Sequence, residues 1–107
     1  MIAPGLSDLW ATARALMAVP QADRPALMAR LIAEAEQADA FRLHADRLHP
    51  ALGDGSLMAA ALARPRAARP VSDPAALAAL ALAALALRRH LKRGAVRQAQ
   101  PDYLAPD

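Results

Sequence analysis

Apolar residues recur at helical spacing along most of the chain, and the pattern is longest between Pro25 and Leu48. There Leu27, Met28, Leu31, Ile32, Ala35, Ala38, Phe41, Ala45 and Leu48 fall on one side of a predicted amphipathic helix over 24–48. Asp23 is the expected N-cap, and Pro25 suits the first turn, where its missing N–H would have had no intrahelical partner. At roughly 1.5 Å per residue the helix would reach about 36 Å, so the rest of the chain is expected to organise around it. A shorter helix over 7–18 precedes it, with Ser7 as cap, Asp8 in the first turn and Leu9, Ala13, Leu16 and Met17 as its apolar face. Pro20 ends it. The short link makes the two helices neighbours, which raises a helix-turn-helix for DNA reading. The second helix opens Arg24-Pro25-Ala26-Leu27, however, and offers one candidate base contact where such helices want several polar ones, so a plain hairpin is expected, with Trp10 as a packing anchor.

Beyond Leu48 the periodicity breaks at His49-Pro50 and Gly53-Asp54-Gly55-Ser56, a turn leading into a short third helix near 56–63 capped by Asp54 or Ser56. Arg64-Pro65-Arg66-Ala67-Ala68-Arg69-Pro70 reads as an exposed basic linker. A last helix is predicted over 74–93, capped by Ser72 or Asp73, and Ala75 to Leu87 carries no polar side chain. That run gives roughly 20 Å of helix against the ~30 Å of a bilayer core, so no membrane span is expected. Leu77, Leu80, Leu87 and Leu91 share one seam while Leu82 and Leu85 lie on another, more apolar surface than a chain of this size can cover alone. The pattern therefore predicts an all-α fold: a helical hairpin, a short third helix and an apolar C-terminal helix in the shared core or at a subunit interface of a homo-oligomer, with a helix lying in a membrane surface as the lesser alternative.

Composition sharpens this picture in three ways. First, the 107 residues suffice for one domain, but the 56% hydrophobic content is inflated by alanine, so the core should be thin and assembly useful. Second, there is no cysteine and the opening MIAPGLSDLW lacks the pattern of a signal peptide, which points to the cytoplasm and excludes disulfide and thiolate chemistry. Third, charge is asymmetric: residues 1–54 hold five Arg against seven acids, net −2, and residues 55–107 hold eight Arg and Lys against three Asp, net +5. The excess gathers in Arg88, Arg89, Lys92, Arg93 and Arg97. Cations at a helix end offset its dipole and Gly94 suits a C-terminal stop, but five exceed what capping needs, so they are the candidate nucleic-acid contacts, weak and non-specific, on double-stranded DNA. Residues 1–97 then form the helical domain and 98–107 a flexible tail. In that tail Tyr103-Leu104, an apolar pair between Asp102 and Asp107, is the candidate partner-docking peptide.

Nothing in the sequence assembles an enzyme. His44, His49 and His90 lack metal-ligand spacing, and no carboxylate series supplements them. Gly53-Asp54-Gly55-Ser56 has no preceding strand and no Gly-Lys-Ser/Thr, so it is not a P-loop. No catalytic residue, metal or cofactor is expected.

The helix Ala22 to Arg42, ADRPALMARLIAEAEQADAFR, followed by His49-Pro50 and Gly53-Asp54-Gly55-Ser56-Leu57-Met58-Ala59-Ala60-Ala61-Leu62, resembles the small terminase subunit of bacterial gene transfer agents, phage-like particles that package host DNA. The resemblance covers roughly residues 1–65. It implies a non-enzymatic DNA-packaging adaptor, a ring-forming homo-oligomer that brings DNA to the large terminase subunit, whose ATPase and nuclease do the chemistry. The chain departs from the usual phage pattern in lacking a convincing N-terminal helix-turn-helix and a strand-rich C-terminal portion. Packaging without sequence selection is what remains implied. The alternative from residue chemistry alone is a helical interaction or regulatory oligomer with no nucleic-acid role.

Overall fold

The computed structural model describes the backbone of residues 1–104 and the side chains of residues 1–96. Among the described residues there are four α-helices and no strand: α1 (Leu6–Met17), α2 (Arg24–Ala45), α3 (Leu57–Leu62) and α4 (Pro74–Leu104), with a 3₁₀ turn (Gln21–Asp23) before α2. The all-α expectation holds. The helix at the centre, however, is α1 and not the longer α2, since α1 packs most extensively against both α4 and α3.

The reason lies in how α1 is buried. Thr12, Ala13, Ala15 and Leu16 are all closed off from solvent, so the helix is enclosed on several sides. Thr12 tolerates this because its hydroxyl donates to the Asp8 carbonyl at 2.8 Å. Around α1 gather Leu27, Met28, Leu31 and Ile32 of α2, Leu57 and Ala60 of α3, and Ala79 and Ala83 of α4. Trp10 packs at the edge of this cluster, as an anchor would.

Local chemistry moves several predicted ends. α1 begins one residue early, with Gly5 as N-cap, because the Asp8 carboxylate reaches back to accept the Gly5 N–H at 3.1 Å. Its second oxygen accepts the Met58 N–H at 3.0 Å, so one carboxylate serves the first turns of two helices. Asp23 precedes α2 but its side chain makes no capping bond, the 3₁₀ turn having taken up that corner. α2 stops at Ala45, where Asp46 turns left-handed (φ 54°), and Leu48 lies exposed outside it. Ser56 caps α3, its hydroxyl accepting the Ala59 N–H at 3.0 Å, while Asp54 accepts the Ser56 N–H at 2.9 Å. Asp73 caps α4 through the Ala75 N–H at 2.9 Å.

The basic linker is tied down more than its composition suggests. Arg64 forms a two-pronged pair with Glu34 of α2, at 2.9 and 2.5 Å. Arg66 donates to the Leu62 and Arg64 carbonyls at the end of α3, and Arg69 pairs with Asp73 at 2.9 Å. The Ala67 N–H donates to the Arg14 carbonyl at 2.9 Å and the Arg14 Nε to the Ala67 carbonyl at 3.0 Å, pinning the strap to the end of α1.

α4 is longer than expected. Gly94 does not end it, and the backbone stays helical to Leu104, through the first part of the segment read as a tail. Pro74–Val96 is also long and apolar enough, by length and composition, to cross a membrane, at a mean hydropathy of 1.3. It packs on α1 and α2 through Ala76, Ala79, Ala83 and Leu87, and only 22% of its apolar window is buried there.

Candidate nucleic-acid and partner interface

The seat of α4 is made almost entirely of alanine, spaced three and four residues apart. Small side chains let the helix lie close against its neighbours, and they leave the leucines to point elsewhere. Leu77, Leu85 and Leu91 are each about half exposed, at 49%, 51% and 49%. Ala78, Ala81 and Ala84 lie exposed among them. Leu80 and Leu82 flank the seat and are partly buried against the core. The expectation of surplus apolar surface on this helix is thus met in the single chain.

Arg88, Arg89, Lys92 and Arg93 are all exposed and fall within one arc of the helix, but they border two different grooves. The linings sort them into two pairs, each with four-residue spacing, while Arg89 and Lys92, three residues apart, join the pairs along the arc. Arg88 and Lys92 edge a groove of about 410 Å³ between α1 and α4, whose other walls are Leu9, Ala84, Leu87, Leu91 and Ala95. Arg89 and Arg93 edge a second groove of about 350 Å³ between α2 and α4, with Pro25, Met28, Ala29, Ile32, Leu82, Leu85 and Ala86. Among the described residues none of these four cations has a carboxylate within 4.0 Å. The side chains of Arg97, Tyr103 and Leu104 lie outside the described residues.

The acids of α2, by contrast, are occupied. Glu36 contacts His90 Nε2 at 2.7 Å, which fastens α4 to α2 just beside the cationic pairs, and it also meets the amino group of Met1. Burial pushes the Glu36 carboxyl up, but the amino group and His90 outweigh it and hold the carboxyl below its ordinary value. Asp39 is held low by the Met1 amino group, at 2.8 Å, and by Arg42, at 2.6 Å. Glu34 is held low by its hydrogen bonds from Arg64, against the opposing effect of burial. Three of the seven acids of the first half are thus paired within the fold, whereas Asp23 and Asp46 are exposed with no cation within 4.0 Å among the described residues, and the surface cations include Arg30 and Arg47 as well as those of α4.

The histidines do not converge. His49 sits in the turn after α2, its Nδ1 accepting the N–H groups of Ala51 and Leu52 at 3.0 and 2.9 Å, while its ring meets Phe41 edge-on at 4.9 Å. Among the described residues no three side chains of His, Cys, Asp or Glu come together as metal ligands.

Residues 4–87 match the family described as Domain of unknown function (DUF7742). The chain belongs to this family. The DUF7742 match takes in α1, α2, α3 and the alanine seat of α4, and it stops at Leu87, the residue before the first of the paired cations. No curated protein and no solved structure matches the chain. The grooves beside α4 escaped the sequence reading, because the spacing of Arg88, Arg89, Lys92 and Arg93 puts all four within one arc of a helix and does not show which neighbouring helix each one faces.

Proposed function

We propose that this DUF7742 protein is a non-enzymatic DNA-packaging adaptor of the small-terminase kind, a cytoplasmic homo-oligomer that brings DNA to a large terminase. The observation that carries the reading is the division of labour on α4: one face seats the helix on its own fold, the other leaves Leu77 and Leu85 half exposed, and unpaired cations follow at the far end. Exposed leucines on a firmly seated helix suit contact between copies. Repetition around such an assembly multiplies weak phosphate contacts from Arg88, Arg89, Lys92, Arg93 and Arg97 into useful DNA affinity with steep salt dependence. Tyr103 and Leu104 provide the docking peptide for the large subunit in this reading.

A second reading, a helical oligomer that binds only protein, is favoured by one feature: both cation pairs border apolar grooves, which a phosphate backbone does not need. Affinity purification of the tagged chain from producing cells separates the two. The adaptor reading expects a packaging ATPase among the captured proteins, lost when 98–107 is deleted while the folded oligomer persists. Capture of other proteins with no packaging ATPase, from the full-length bait, would refute it.

A further inference from the structure

The groove between α1 and α4 combines two features that ask for the same occupant. This shallow depression is lined by the apolar Leu9, Ala84, Leu87, Leu91 and Ala95 together with Arg88 and Lys92. Like charges four residues apart on a helix repel each other, and neither has a carboxylate partner among the described residues. An anion relieves that repulsion. Phosphate alone would leave the leucines wet, whereas a helix with leucines on one side and carboxylates beside them satisfies leucines and cations together.

We infer that this groove is a docking site for an acidic amphipathic helix of a second protein. A second copy of this chain is a poor source of that helix, because the carboxylates of α2 are already engaged: Glu34 with Arg64, Glu36 with His90 and Met1, Asp39 with Met1 and Arg42. The inference goes beyond the packaging reading and does not rest on it. It gives Arg88 and Lys92 a protein partner in place of the phosphate contacts that the packaging reading draws from them, and assigns nothing to Arg89 and Arg93, which border the groove between α2 and α4.

The test uses the full chain and two labelled synthetic helical peptides, with leucines at positions i, i+3, i+4 and i+7 and either glutamates or lysines beside them, read by fluorescence anisotropy. The glutamate peptide binds at micromolar concentration and the lysine peptide does not. Reversing both lining charges, Arg88→Glu with Lys92→Glu, exchanges that preference, and Leu91→Ser weakens binding by about tenfold without altering the helical circular dichroism. Reversing two exposed cations away from the groove, Arg30→Glu with Arg47→Glu, leaves binding within about twofold. Equal loss from both double reversals would overturn the inference, since net charge alone would then explain binding. So would a duplex DNA probe that binds more tightly than the glutamate peptide and ignores Leu91→Ser, which would make the groove a nucleic-acid surface. A large gain in peptide binding on deleting 98–107 would also overturn it, because the chain's own tail would then be the occupant.

Discussion

Gly55 shows how far single residues fix the corner between α2 and α3. It has φ +95°, and a Cβ there would come within 2.7 Å of the Asp39 Cα, so the turn rests directly on the backbone of α2. Gly55→Ala is predicted to cost about 1–3 kcal/mol in urea unfolding, from the left-handed backbone and the collision together. The pair of Glu34 and Arg64 acts in the same region but through charge. Because the folded Glu34 carboxyl titrates below its ordinary value of 4.5, its contribution is complete above about that pH and is lost as pH falls through the folded value. Glu34→Gln should therefore lower stability at neutral pH by up to about 1 kcal/mol and flatten the acid side of the stability profile. An unchanged acid slope in Glu34→Gln would assign the acid sensitivity to other carboxylates. Sequence placed the turn through its glycines, because positive φ is a local demand. It missed the Arg64 pair, because a partner thirty residues away leaves no local trace.

At the scale of elements, helix type and number were legible from periodicity, whereas the ends were set by contacts that periodicity does not encode. Asp8 draws the start of α1 back to Gly5 by bonding its N–H, and the same carboxylate reaches α3, a link visible only after folding. Gly94, a sound stop signal in isolation, sits inside α4, where helix on both sides outweighs the local cost of about 1 kcal/mol. The hierarchy of helices was misjudged because length and periodicity favour α2, while enclosure favours the alanine-bearing and threonine-bearing α1. The alanine seat of α4 carries its own prediction. Ala83 is fully buried at that seat, so Ala83→Leu should lower stability by about 1–3 kcal/mol through overpacking, while Leu85→Ser should change the stability of the single chain by less than about 0.5 kcal/mol. Thermal and urea melts of the two variants distinguish a seat of small residues from a loosely apposed helix.

For the whole molecule, one helix serves two purposes. The fold uses the narrow alanine face of α4, and the account assigns its half-exposed leucines to contact between copies and the paired cations beyond Leu87 to partners. The acids of α2 do not mask those cations, because they are engaged with Arg64, His90, Arg42 and Met1 within the same chain. The surplus of apolar surface on the last helix was legible from the absence of polar residues between Ala75 and Leu87. The two grooves that the cations border were not, because a linear run of charges does not show which neighbouring helix each member faces. Sedimentation equilibrium over a micromolar concentration range, comparing the wild type with Leu77→Ser/Leu85→Ser, tests the central claim directly. The account predicts a wild-type assembly of several copies and a folded, helical monomer for the double variant. A wild type that stays monomeric across the range, or a double variant that assembles just as well, would contradict it.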